Sequence, residues 1–231
     1  MNPSDSLRKV RNDLSPYLFH FTSNNPVETL KTILQEKRLY SETKEYVCFT
    51  ETPITAYCEN LEYMQQFTKP MYSKYGVGFN RDILFKDYGA RPVIYGDEQE
   101  GKRLKDIGLY WRFELLDIHS HDFTWLREWR ILGEFNFSKL SKEEIIIVAP
   151  TEEDLRALVT EQDLVDIDFS YESDIKGCIA FPIFAETIAW KGFSFAEIKQ
   201  ASNDFEVSGK TQAQVIGEEY SESNRVGGKR K

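Results

Sequence analysis

Two stretches near the start, YLFHFTSNNPVETLKTILQEKRLY (residues 17–40) and EYVCFTETPITAYCENLEYMQQF (residues 45–67), repeat one device. Each is a short run rich in aromatic and apolar residues followed by a helix that opens on proline. In the first, Asn25 is placed to cap, Pro26 suits the first helical position, and Glu28 would complete a capping box. Val27, Leu30, Ile33 and Leu34 then define one apolar helix face. In the second, Thr52 stands as the cap and Pro53 falls in the first turn. The chain therefore opens strand, helix, strand, helix.

Beyond these, KYGVGFN and RPVIYG carry strand composition, with Gly76, Gly78 and Gly89 punctuating the turns. Residues 97–125 mix charge and aromatics without a clean period and read as a long connection containing a helix. EWRILGEFNF and EEIIIVAP resume strand character, Thr151 with Asp154 caps EEDLRALVT, KGCIAFPIF reads as a strand and FSFAEIKQA as a short helix. Strands outnumber helices, the helices bunch near the start, and no repeat is visible. The expectation is one α+β domain over residues 1–201. Residues 202–231, rich in Ser, Gly, Asn and charge, read as a flexible polar tail that cannot bury enough apolar surface to offset its ordering entropy.

Composition narrows the function. No apolar run is long enough to span a bilayer, and the start MNPSDSLRKVRND lacks the apolar core of a secretion signal, so a soluble, cytoplasmic protein with no membrane partner is expected. Cys48, Cys58 and Cys178 form no CxxC pair, and His119 and His121 flank only Ser120, which points to no metal. The net charge of −9 argues against a general DNA-coating role. Between Lys69 and Arg112, however, nine basic residues face six acidic ones, leaving room for a local nucleic-acid contact.

Familiar signatures are absent: GVGFNR lacks the third glycine of a dinucleotide fingerprint, and neither GxxxxGK[ST] nor GxSxG occurs. What remains are FHFTS (19–23), VCFTETPITAYC (47–58) and WLREWRI (125–131). In that order they resemble the three motifs of ADP-ribosyltransferases of the poly-ADP-ribose polymerase kind. The wider series HFT, VCFTETP, YGVGF, ARPVIY and REWRI is similar to bacterial abortive-infection proteins of the AbiGi kind and, more remotely, to DarT-type toxins. Coverage is about residues 17–150.

The resemblance implies a split mixed β-sheet that grips NAD as substrate. It implies Glu128 as the catalytic acid, stabilising the oxocarbenium-like centre formed when the nicotinamide–ribose bond breaks. His20 would donate a hydrogen bond to the adenosine ribose, or else be a histidine packed in the core. Phe21, Thr22, Thr50 and Thr55 would line the NAD cleft, with the threonines bonding either nicotinamide or local backbone. Tyr57 would stack on nicotinamide or lie on a buried helix face. Arg127 and Arg130 would pair with pyrophosphate or nucleic-acid phosphate, and Arg112 and Trp125 would contact the acceptor. Trp111, Phe113 and Phe123 join Trp125 as candidates for stacking unpaired bases, against the alternative of core packing. The expected function is an ADP-ribosyltransferase toxin of a phage-defence or toxin–antitoxin system acting on RNA or single-stranded DNA, with an antitoxin protein as a partner. A non-catalytic partner-binding relative, a protein-directed transferase and an NAD glycohydrolase are the alternatives. One departure stands out: only Lys37 and Arg38 replace the arginine-rich segment of DarT-type enzymes, which weighs against a DarT-like DNA substrate.

Overall fold

The computed structural model describes residues 15–64, 72–119, 122–172, 177–188 and 190–200. The expected polar tail and His121 lie outside them.

Strand β1 (Tyr17–Phe21) leads into helix α1 (Pro26–Glu36), which buries Leu30, Ile33 and Leu34 as its spacing requires. Burial of these three side chains contributes roughly 6 kcal/mol as an upper estimate. The capping differs from expectation. Asn25 is left-handed (φ 43°, ψ 56°) and its side chain makes no capping bond. Instead, the Asn25 carbonyl accepts from the Thr29 amide and the Asn24 carbonyl from the Thr29 hydroxyl. A second left-handed residue, Lys37, closes the helix.

After β2 (Arg38–Leu39) come β3 (Tyr46–Thr50) and α2 (Ile54–Met64). The Thr52 hydroxyl donates to the Trp125 carbonyl, tying the start of α2 to a distant loop. Strand β4 (Gly76–Asn80) passes directly into α3 (Arg81–Asp87), a helix the sequence reading did not include. Its signal is Asn80, whose side-chain oxygen accepts from the Asp82 and Ile83 amides. RPVIYG divides into β5 (Arg91–Pro92) and β6 (Ile94–Gly96). The expected helix in the long connection is α4 (Glu98–Asp106), with a capping box built by Asp97 and Glu100.

Strand β7 (Phe113–Leu115), β8 (Glu128–Leu132), β9 (Phe135–Asn136) and β10 (Ile145–Ala149) follow, then α5 (Glu152–Val159), capped by Thr151 as expected. A long antiparallel ribbon, β11 (Thr160–Glu172) with β12 (Gly177–Ile188), precedes β13 (Lys191–Ser194) and a helical segment at residues 195–200. Strand β11 went unread in the sequence. Helices α4 and α5 also show that the helices do not gather at the N-terminal end. Among the described residues no helix is long and apolar enough to cross a membrane.

The α+β reading holds: seven strands form one mixed sheet in the order β13-β10-β4-β1-β3-β8-β5, parallel only between β10 and β13. Its joints are unequal. Strands β1 and β4 pair over five positions, as do β3 and β8, whereas β1 and β3 meet only at Phe19 opposite Thr50. A four-strand half and a three-strand half are thus hinged on one residue pair.

Side-chain alternation along β1 separates two cores. Leu18 joins Leu30, Phe49, Phe79 and Phe135 on one face; Phe19 and Phe21 join Tyr57, Leu126 and Val148 on the other. Gly76 and Gly78 lie opposite Phe21 and Phe19 in the β1–β4 ladder. A Cβ on either glycine would collide with the facing ring, so the GVG segment makes room for aromatic side chains and serves the sheet.

Candidate functional site

The register of the three central strands assembles the site. Phe19 pairs with Thr50, Thr50 with Glu128, and Cys48 with Arg130, so Phe19, Phe21, Cys48, Thr50, Glu128 and Arg130 project from one sheet face. They line a cavity of about 150 Å³, joined by His20, Tyr57, Tyr72, Phe123 and Glu114. Cavities of roughly this size take a single six-membered ring. Its walls are largely aromatic, with the polar groups converging from β1, β3, β7 and β8.

His20 occupies the split between the sheet halves. Its Nδ1 lies 2.9 Å from the Cys48 carbonyl, an acceptor, so Nδ1 carries the proton. Burial holds the imidazole below its ordinary pKa, which keeps the ring neutral. Nε2 is therefore an acceptor. The expected donation from His20 to a ribose hydroxyl is reversed: a ligand hydroxyl would donate to the ring. The same bond ties β1 to β3 beside their single residue pair.

Glu128 and Arg130 form the polar centre. Arg130 is only 1% exposed, and every nitrogen of its guanidinium is engaged. Nε donates to Glu128 Oε1 at 2.7 Å, one terminal nitrogen to the Trp111 and Phe113 carbonyls at 3.1 and 2.8 Å, and the other to Glu114 Oε2. The Tyr46 ring lies 4.2 Å from the guanidinium carbon. Arg130 is thus committed chiefly to fixing two carboxylates and two backbone carbonyls. Cys48 adds a second contact to Glu128: burial first, then the carboxylate charge and a thiol hydrogen bond, push its pKa up to about 12. The thiol remains protonated.

The approach to Glu128 is conformationally unusual. A 3₁₀ turn at Thr124–Leu126 ends on Arg127, which is left-handed (φ 45°, ψ 54°) without being glycine. Such a residue costs on the order of 1–2 kcal/mol. The Arg127 carbonyl accepts from the Glu51 amide and the Leu126 carbonyl from the Thr50 hydroxyl, holding the turn against the end of β3. These contacts set Glu128 at the first position of its strand.

Tyr57 is buried, 1% exposed, and stacks on Phe21 at 3.9 Å with the rings 10° from parallel. That face is closed to a ligand, so of the two expectations the buried one describes the residue. Its hydroxyl, however, has no hydrogen-bond partner among the described residues.

No protein-family model, curated protein or solved structure matches this chain.

Of the residues singled out in the sequence, His20, Phe21, Thr50, Tyr57, Glu128 and Arg130 line the cavity, and Thr22, Thr55, Arg112, Trp125 and Arg127 do not. Thr22 bonds the Pro26 and Tyr75 carbonyls and the Ser73 hydroxyl, fastening the loop after β1. Thr55 is buried in the first turn of α2. Arg112 donates to the Pro92 carbonyl. Trp125 sits beside Tyr57 at 6.2 Å between centroids. Among the candidate base-stacking aromatics, Phe113 is buried against α4 while Phe123 reaches the cavity.

Glu114 and Cys48 are the site residues that sequence reading missed. Cys48 belongs to no cysteine motif, and its signal is its place two residues before Thr50 on the same strand face. Glu114 lies in the aperiodic connection, and only the fold brings it to Arg130. Among the described residues no group of three or more His, Cys, Asp or Glu side chains could hold a metal ion.

Proposed function

We propose that this chain is an NAD-dependent ADP-ribosyltransferase. The observation that carries the reading is the split between β1 and β3: a single residue pair joins the halves, and His20, Thr50 and Glu128 surround the cavity beside it. These residues come from the three segments whose order resembles the family's motifs, and a split sheet is what that resemblance implies. A carboxylate fixed by a buried guanidinium suits a reaction in which positive charge develops at a ribose carbon.

On this reading the cavity receives the nicotinamide end of NAD, and the rest of the dinucleotide extends through the mouth. Glu128 accepts from the ribose and steadies the oxocarbenium-like centre. Arg130 and Cys48 hold the carboxylate in place, and the lone pair of His20 Nε2 receives a ligand hydroxyl. With Arg130 withdrawn into the fold, phosphate recognition falls to groups nearer the surface, of which Lys44 lines the cavity. Transfer to RNA or single-stranded DNA, as a growth-arresting toxin, is the finer form of the proposal; the aromatic Phe123 at the cavity supports it.

The test is to incubate the protein with NAD labelled in its adenylate half and separate pools of RNA, single-stranded DNA and protein. Label is expected in a nucleic-acid pool. Label in protein alone, or free ADP-ribose alone, would reassign the acceptor, and intact NAD in every pool would defeat the reading.

A further inference from the structure

Glu114 is the second carboxylate of the cavity, and its assignment rests on the NAD-cleaving reading above. It reaches the site from β7, in the connection between α4 and β8, and meets Glu128 only through the guanidinium of Arg130. The two glutamates differ in setting. Glu128 has a side chain 11% exposed, whereas that of Glu114 is 31% exposed. Glu128 is the enclosed member of the pair and Glu114 the more exposed one, on the side that an incoming group reaches more readily. Arg130 touches one oxygen of Glu114, Oε2, leaving Oε1 for another partner.

The reaction leaves only one task for such a group. Nicotinamide departs from NAD as a neutral molecule, so no acid is needed to protonate the leaving nitrogen. An acceptor that carries a proton must lose it, and a pair of carboxylates around one guanidinium disfavours the approach of an anionic acceptor such as a terminal phosphate. We propose that Glu114 is the general base of the transfer and that the acceptor is a neutral O–H or N–H group. In the step, the acceptor oxygen or nitrogen forms a bond to ribose C1′ as the bond from C1′ to the pyridinium nitrogen breaks. The electron pair of the broken bond goes to the ring nitrogen, giving neutral nicotinamide, and the acceptor proton goes to the Glu114 carboxylate. No redox partner is required.

Glu114→Gln and Glu128→Gln, each of which keeps a side-chain oxygen to accept from Arg130, are compared with the unmodified protein for nicotinamide release, with and without sodium azide. Azide attacks without a proton to lose, and Glu114→Gln removes one of the two negative charges that oppose an anion in the unmodified protein. For Glu114→Gln, kcat should fall by about 100-fold or more with KM for NAD unchanged, and azide should restore release and yield azido-ADP-ribose. Azide should not restore Glu128→Gln. Wild-type release from Glu114→Gln, or a loss that azide leaves untouched, would overturn the role of Glu114 while NAD cleavage by the unmodified protein still stood. No release from the unmodified protein, with or without azide, would overturn both.

Discussion

Two buried arginines flank the central strands and hold their carboxylates to different ends. Arg81 pairs with Glu51 Oε1, and Trp129 Nε1 donates to the other oxygen of Glu51 at 2.8 Å, so that carboxylate is closed on both sides. Glu51 and Arg81 do not line the cavity. Arg130 instead divides itself between Glu128 and Glu114, and both of these face the cavity. A buried ion pair by itself is weak evidence for anything but burial. The difference lies in what remains unfilled: on the cavity side Arg130 engages only one oxygen of Glu114, and nearby stand an imidazole lone pair and a Tyr57 hydroxyl that has no partner among the described residues. The first cluster locks strand ends; the second leaves groups over for a ligand.

Breaking the two arginine clusters should have unlike consequences. Arg130→Met strands both glutamates and should lower the unfolding free energy by about 4 kcal/mol, read by urea denaturation, and abolish nicotinamide release. Glu51→Ala should cost about 3 kcal/mol, because Arg81 keeps Asp82 at 3.6 Å as a second carboxylate, with release per folded molecule unchanged. A Glu51→Ala protein that folds normally but no longer releases nicotinamide would erase the distinction between the clusters. The smallest effect belongs to Tyr57→Phe, which removes a buried hydroxyl with no partner among the described residues and should raise stability by about 1 kcal/mol. If the hydroxyl serves the ligand, the same variant will show a smaller rise in melting temperature on adding NAD than the unmodified protein does.

Local pattern made part of this legible. Alternation of aromatic and apolar residues located β1, β3, β4 and β10, the spacing of Leu30, Ile33 and Leu34 located α1, and three motifs in order located His20, Thr50 and Glu128. What stayed hidden depends on register and backbone conformation. Arg130 reads as a phosphate ligand by residue type, yet its pairing opposite Cys48 turns it inward under Tyr46. Glu114 sits in a segment without periodicity, so only the tertiary fold shows that it shares a guanidinium with Glu128. Asn25 and Arg127 adopt left-handed conformations that no composition rule assigns to them in advance. The GVG segment, which lacks the third glycine of a dinucleotide fingerprint, forms the floor beneath Phe19 and Phe21.

On the function proposed above, the cavity in the sheet split cleaves NAD at Glu128. The most direct measurement is nicotinamide release by the unmodified protein and by Glu128→Gln, with thermal unfolding recorded on both. The account predicts release by the former, a loss of about 1,000-fold or more in the latter, and closely similar unfolding curves, since glutamine still accepts from Arg130. Equal release by the two proteins, or none by the unmodified one, would contradict it.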